Sequence, residues 1–591
     1  MDIGGQIKQI AALALKELYG YTPPITDLTV TLTKPEFEGD YTIVLFSLVK
    51  AVKKSPEQLG NELGNQLLAG NGNFVTGFNV IKGFLNLRIA DAYWINFLQA
   101  SYENEGFGKK APNGRKVMVE YSSPNTNKPL HLGHLRNNFL GWSVAEILKA
   151  NGYEIVKTCI ANDRGIHICK SMIAWKLYAN GATPDSTGLK GDHFVGDYYV
   201  LFGAEHKKQA EELVRQGMTR EEAEKETALM KAAQQMLVDW EAGQPEVIDL
   251  WKKMNSWVYA GFDSTYKRIG TNFDKIYYES DTYILGKKLV DFGLQKGVFY
   301  KKEDGSVWID LTADGLDEKI VQRRDGTAVY ITQDIGLAVE KYEQYKCDKS
   351  IYVVGDEQNY HFKVLKLICE KLNIPAADGI YHLSYGMVEL PSGRMKTREG
   401  TVVDADDIVD EMVAVAQQKT EELGKVKDFT EEELKELYDT IGLGALKFFL
   451  LRVEPKKKML FNPEESIDFH GFTAPFIQFT HARLKSILRK ESPAAGIRVA
   501  DGLTPSEKAI IILAEQFPSV VDQAGIDYNP SALAVYTYEL AKAFSSFLTG
   551  SSVLNAESGE KKQLRLQLCQ LTSNILAGSM QLLGIRVPER M

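Results

Sequence analysis

The chain has 591 residues, 44% of them hydrophobic and 25% charged, with a formal net charge of -9. Three to five domains of roughly 100–200 residues each are expected, with the composition of ordinary globular protein. No apolar run approaches the ~20 residues that span a bilayer, and the amino terminus lacks a basic-then-apolar leader, so no membrane partner is expected. Cys159, Cys169, Cys347, Cys369 and Cys569 are scattered without a CxxC pair. That argues against structural zinc or a disulfide framework and for a reducing, cytoplasmic location. The acidic balance argues against indiscriminate coating of nucleic acid, but a local basic face suffices for RNA.

Residues 1–110 read as a small α+β unit. Ile7 to Leu18 is an amphipathic helix stopped by Gly20, and Ser55-Pro-Glu-Gln58 is a capping box opening a second helix. Phe74–Ile81 and Phe84–Ile89 alternate like a hairpin around Lys82-Gly83. Glu105 to Gly114, rich in Gly, Lys and Asn, reads as a linker.

Next comes the stretch that organises the chain. A buried strand, Val117 to Glu120, leads into a Pro/Asn-rich loop, and a helix runs from Leu135 to Ala150 with a stop at Asn151-Gly152. His131-Leu-Gly-His134 stands at the helix entrance. Unpaired N–H groups and the positive end of the dipole suit that entrance to phosphate. The two imidazoles share one side of the first turn, and Gly133 lets a ligand approach the backbone. Capping is the bland alternative for both histidines.

A second strand, Tyr153 to Ile160, leads into Ala161-Asn-Asp-Arg-Gly165, with Asp163 at a strand end. Residues 185 to about 290 are helical and highly charged, with a capping box at Thr219 to Glu222, and read as an insertion splitting the sheet. Strand signals return at Val307–Leu311, Ala328–Ile331, Ser350–Val354 and Ile380–Leu390, with a helix from Gln333. The alternation argues a parallel, doubly wound α/β sheet. Past residue 430 the strand signals stop, and Thr430 to Glu433 and Thr504 to Glu507 open long helices of a bundle.

Two further constellations carry chemistry. Gly393-Arg-Met-Lys-Thr-Arg-Glu-Gly400 places three cations in a Gly-bounded loop before a helix starting near Asp404 or Asp406. Such cations stabilise charge on a leaving pyrophosphate, although a solvated basic loop has the same composition. Tyr330 and Asp334, four apart, share a face, and a guanidinium wants a carboxylate and a hydroxyl. A strand-ending acid can also be a mere cap.

The 121–136 stretch resembles the first signature of class I aminoacyl-tRNA synthetases, and Ser123-Pro-Asn-x-x-Lys-Pro129 is similar to that of arginyl-tRNA synthetases. The resemblance runs nearly the whole length, from Gly39-Asp-Tyr41 and Gly83-Phe-Leu-Asn-Leu87 to Gly584-Ile-Arg-Val-Pro-Glu-Arg-Met591. It implies a class I Rossmann-type catalytic domain (111–430), an α+β tRNA-contacting domain (1–110) and an all-α, DALR-type anticodon-binding bundle (431–591). The implied reaction attaches L-arginine to tRNA(Arg) through arginyl-adenylate, with Mg2+-ATP as co-substrate, no structural metal, no DNA partner, and a monomer.

By the same resemblance Lys128, His131, His134, Arg394, Lys396 and Arg398 would be catalytic. Thr397 stands where the family signature has its second lysine; the resemblance offers Lys128 as a substitute, which leaves Lys128 and Lys396 as alternatives for the main transition-state cation. ATP would lie against Pro124, Asn125, His131, Leu132, Gly133, His134, Met387, Val388, Met395 and Lys396. Arginine would be held by Glu120, Ser123, Asn125, Tyr330, Asp334 and Gln358, and tRNA by Asn86, Phe476, Phe479 and Arg483. An aromatic stripe on the 476–485 helix also suits a bundle core, while stacking beside Arg483 and Lys485 suits unpaired bases.

Overall fold

The computed structural model describes residues 3–34, 36–327, 329–389, 403–424, 428–496 and 502–591. The 394–398 cations and Met395 therefore lie outside the described residues.

The amino-terminal unit is a four-stranded antiparallel sheet ordered Val30–Leu32, Tyr41–Val44, Phe84–Ile89, Val75–Ile81. The hairpin closes through Lys82 and Gly83, with φ of 49° and 84°, as a two-residue primed turn requires. Ser55 caps the Pro56–Gly70 helix by accepting from the Gln58 amide at 3.2 Å, without the reciprocal bond of a full box. The unit docks on the C-terminal bundle, where Glu515 accepts from the Ile3 amide and the Tyr41 hydroxyl, and Lys508 pairs with Asp40 at 2.8 Å.

The central sheet is wholly parallel, in the spatial order Ile380–Tyr385, Lys349–Gly355, Lys116–Glu120, Glu154–Ala161, Lys275–Tyr278. In chain order this is the 3-2-1-4-5 arrangement of a doubly wound fold, whose ligand crevice opens at the carboxyl ends of the strands.

Several sequence expectations change here. The helical insertion ends at Ile269, because Lys275–Tyr278 returns as the edge strand beside Glu154–Ala161. Four residues after a long charged stretch give too short an alternation to read. Val307–Ile309 belongs to a separate three-stranded antiparallel sheet with Tyr300–Lys301 and Lys319–Gln322. The expected strand at 328–331 gives way to a helix beginning at Tyr330, since Ile331 and Ile335 turn one face into the core with helical spacing. The 380–390 strand breaks after Tyr385, and Val388–Glu389 pairs with Met459–Leu460, so one short strand does occur beyond residue 430.

The bundle's capping boxes at Thr430/Glu433 and Thr504/Glu507 both form. By length and composition residues 505–526 could cross a membrane, with mean hydropathy 1.2. They form two successive helices, Pro505–Glu515 and Phe517–Ile526, that bury Ile510, Ile511, Ala514, Phe517 and Val521 in the core.

Candidate active site and RNA-facing surface

At the carboxyl end of Lys116–Glu120 the chain turns sharply, with Ser122 and Ser123 at φ of 77° and 47°. Left-handed backbone costs an L-residue ~1–3 kcal/mol unless its surroundings impose it. Here the following helix imposes it: the Ser122 amide donates to Asn137 Oδ1 at 2.5 Å, and Asn138 Nδ2 donates to Ser122 Oγ at 3.1 Å. Tyr266 of the insertion adds its hydroxyl to Ser122 Oγ at 2.7 Å. The loop then runs beside the next strand end, as Asn162 N donates to Pro124 O at 2.9 Å and Thr126 N to Asn162 O at 3.1 Å. Asn137 and Asn138 thus fix the loop. Sequence reading passed them over because mid-helix asparagines carry no periodic signal.

His131 is the N-cap of Leu132–Ala150. Its Nδ1 accepts from the Gly133 amide at 3.1 Å, while the His131 amide donates to His134 Nδ1 at 3.2 Å. Each Nδ1 is therefore an acceptor, which assigns the proton of each neutral ring to Nε2. Burial, with the Lys128 charge adding to it, pulls the His131 pKa down to about 3. Burial holds His134 well below the imidazole range, and His131 and Lys128 add to that. Both rings are neutral at pH 7, with centroids 3.9 Å apart and planes tilted by 49°, and each keeps an Nε2–H to donate. So the histidines do cap, and capping is what fixes their tautomers. Leu132 is fully buried, so it offers a ligand only backbone. Burial also lowers the Lys128 pKa, and the adjacent Asn127 Oδ1 is buried without a partner among the described residues.

The described flanks of the basic segment both rest on this helix. On the entry side, the buried Arg136 guanidinium donates to Gly386 O at 2.6 Å, Lys457 O at 2.9 Å and Pro455 O at 3.1 Å. Met387 O accepts from the Met459 amide at 3.2 Å, and Val388 is buried. On the exit side, Asp404 bridges His131, and the Ala405 amide donates to Leu130 O at 3.0 Å. Asp404 also caps the helix Ala405–Leu423.

The insertion closes over the same exit. Lys190 Nζ donates to Asp406 at 2.6 Å and Asp192 at 3.1 Å, and His193 Nε2 lies 3.2 Å from Asp404 and 3.4 Å from Asp406. Gly196 of the same helix is packed so closely that a Cβ there would meet Pro129 Cδ at 2.8 Å. His193, Asp404 and Asp406 have metal-like spacing, but the Lys190 ammonium already pairs with Asp406 and His193 leans on both carboxylates. The arrangement is an ion-pair knot.

On the amino-acid side, Tyr330 is 72% exposed at the start of its helix, and Asp334 one turn on accepts from His361 Nε2 at 2.7 Å. Gln358 is exposed just beyond Lys349–Gly355, and Asn125 is exposed in the loop. Glu120 departs from expectation. Its carboxylate pairs with the buried Lys341 ammonium and accepts weakly from Thr158 Oγ1 at 3.5 Å, so its charge is already met inside the sheet. Asp163 is likewise committed, accepting from Ser280 N and Oγ and from Tyr259 at 2.7 to 2.9 Å. A carboxylate that sequence reading missed is Glu279, directly after the edge strand Lys275–Tyr278. Burial raises its pKa to about 7; the Asp163 and Asp334 charges add to this and Arg164 opposes it. It was missed because its strand was missed.

In the bundle, Phe479 and Arg483 line a cavity of about 340 Å³ with Phe429, Arg489, Arg590 and Met591. Arg483 stands 5.9 Å over the Phe479 ring. Phe476 instead packs on Tyr538 at 5.4 Å, within the core side of the helix. Asn86 is only 1% exposed, and its amide is engaged with Thr42 and Asn79, so it presents nothing to an RNA.

Comparison with known proteins identifies the family. The family model for tRNA synthetases class I (R), catalytic domain, matches residues 97–462. Models for the arginyl tRNA synthetase N terminal domain and the DALR anticodon binding domain match 5–89 and 477–591. The chain is 54% identical over 584 residues to an arginine–tRNA ligase of Bacteroides thetaiotaomicron, covering 98% of each. It is 52% identical over 599 residues to that of Bacteroides fragilis, covering 100% of each. The arginyl-tRNA synthetase structure of Thermus thermophilus matches with TM-score 0.79 at 25% identity, over 100% of both chains.

Proposed function

This chain belongs to the arginyl-tRNA synthetase family, and we propose how its residues divide the work of joining L-arginine to tRNA(Arg). In the first step the arginine carboxylate attacks the α-phosphate of ATP and expels pyrophosphate; in the second, a terminal ribose hydroxyl of the tRNA takes the arginyl group. No protein nucleophile is needed, so the contribution is positioning and charge stabilisation.

The observation that carries the reading is the pair of neutral imidazoles with Nε2–H fixed by reciprocal capping at a helix N-terminus. They donate to the phosphates without themselves changing charge. Lys128, in the same loop and close enough to depress both imidazoles electrostatically, supplies the cation that Thr397 does not. Arg394, Lys396 and Arg398 join it on the pyrophosphate side, with Pro124, Asn125, Gly133, Met387 and Val388 forming the walls of the nucleotide site. Magnesium carried on the ATP phosphates adds positive charge there.

Asp334, Tyr330 and Glu279 meet the arginine guanidinium, with Ser123, Asn125 and Gln358 at its other end. Glu279 thus takes the place that Glu120 was expected to fill. The bundle reads the anticodon with Phe479 and Arg483, and arginine activation requires the bound tRNA. Residues 1–110, 111–430 and 431–591 act as the tRNA-contacting, catalytic and anticodon-binding domains of a single-chain cytoplasmic enzyme. Five free, buried cysteines suit that reducing location.

Pyrophosphate exchange tests this directly. Exchange dependent on arginine and on tRNA is expected, and its absence with both present would sink the assignment.

A further inference from the structure

A second cavity, of about 410 Å³, lies outside the active site, where the histidine helix, the end of the insertion and the C-terminal tail meet. Trp142, Lys267, Arg268, Lys447, Gly584 and Arg586 are among the residues that line it. Four cations line it, with no carboxylate among its described lining residues.

Three of the cations lean on exposed partners: Lys267 on Asp263, Arg268 on Asp410 and Arg586 on Glu436. Exposed pairs of this kind are worth ~0–1 kcal/mol, so each cation can turn to a better anion at little cost. Lys447 differs. It is 5% exposed, donates to Gly584 O at 2.6 Å, lies 5.3 Å from the Phe139 ring, and forms no ion pair among the described residues. Burial, with Arg586 adding to it, pulls its pKa down to about 7. A buried ammonium facing a cationic cavity without a counter-ion is poorly placed unless an anion arrives.

We propose that this cavity binds a phosphate group, supplied by the backbone of the tRNA body. The volume exceeds what a lone phosphate fills and falls in the range of small-ligand sites, as a sugar–phosphate segment would need. The place also fits: Trp142 of the histidine helix and Gly584 and Arg586 of the tail that packs on the bundle line the same cavity. Lys447 touches both the histidine helix, at Phe139, and the tail, at Gly584. The same tail continues to the Ala474–Leu488 helix, where Gln478 donates to Arg586 O and Lys485 pairs with Glu589. A phosphate that restores the Lys447 charge therefore tightens a joint between the catalytic helix and the anticodon-binding bundle. The proposal rests on the tRNA ligase reading above.

The test is tRNA binding to the full chain across a salt series, for wild type and for K267Q, R586Q and K447M, with K208Q as a control on an exposed cation elsewhere. Each pocket variant is expected to weaken binding, roughly tenfold at low salt, and to lower the log–log salt slope by about one; K208Q should do neither. Wild-type affinity and slope in K267Q and R586Q would overturn the proposal, even if K447M fails to fold. A parallel titration with inorganic phosphate, read by thermal shift, separates the sources. Phosphate stabilisation that R586Q abolishes, with tRNA binding unchanged, would keep the phosphate site but reassign it to a free phosphate-bearing molecule, overturning the RNA source. Wild-type protein with no arginine-dependent exchange would instead refute the ligase reading, independently of the pocket.

Discussion

Arg136 Nη1 donates to the carbonyl of Gly386 at 2.6 Å, joining the second turn of the histidine helix to the strand that precedes the basic segment. Its other nitrogen reaches Pro455 and Lys457, so one buried guanidinium ties three stretches of chain. Burial pulls its pKa down to about 10, which leaves it charged at neutral pH. Lysine cannot reproduce the planar fork. Arg136→Lys is expected to lower kcat for pyrophosphate exchange at least tenfold with a much smaller change in the arginine KM. A matched loss in both, or none, would show that the residue does not position the phosphate side.

Glu279 gives a pH prediction for arginine affinity. Its carboxyl is protonated below about 7 in the free protein, whereas a guanidinium binds the carboxylate. Arginine binding should therefore tighten as pH rises through about 7 and release a proton near neutrality, measurable by calorimetry in buffers of different ionisation heat. Glu279→Gln should weaken binding and flatten the profile. A sloping profile in that variant would assign the titration elsewhere.

His193 should make the knot at Asp404 and Asp406 pH-dependent. Hydrogen bonding to Asp406 raises the imidazole pKa above its ordinary value against the opposing effect of burial, with Asp404 and Asp192 assisting and Lys190 opposing. A raised folded-state pKa means the stabilisation is fully present below about 6.5 and is lost as pH rises through the folded value. Asp406, half-buried but held well below the carboxylate range by His193 and Lys190, stays ionised throughout that window. The Tm difference between wild type and His193→Gln should accordingly be larger at pH 6 than at pH 9. A difference independent of pH would mean that His193 acts only by packing.

Phe479→Ala should cost ~1–3 kcal/mol of tRNA binding, the value of one stacked base, and leave ATP binding alone. Phe476→Ala should act differently, lowering Tm through lost packing on Tyr538. If both variants lost tRNA affinity equally at unchanged Tm, the division between them would be wrong.

Asp334→Ala should raise the arginine KM far more than the ATP KM. Equal effects would remove Asp334 from the amino-acid pocket and leave its bond to His361 as a structural one.

The sequence by itself determined the parts whose signals are local. The strand before Tyr121, the histidine helix, the Lys82-Gly83 hairpin and the Thr430 and Thr504 caps follow from periodicity and capping chemistry within a few residues. The tertiary structure decided what depends on partners far along the chain. Glu120 looked like a pocket carboxylate, but Lys341, more than two hundred residues away, neutralises it inside the sheet. Glu279 is carried at the sheet edge by Lys275–Tyr278, a strand with no local signal, and the Asn86 amide turns inward to Thr42 and Asn79. An isolated charge or amide reads the same on paper whether solvent, a ligand or a buried counter-ion meets it. Only packing chooses among these, because desolvation makes a buried polar group's energy depend on which partner is brought to it.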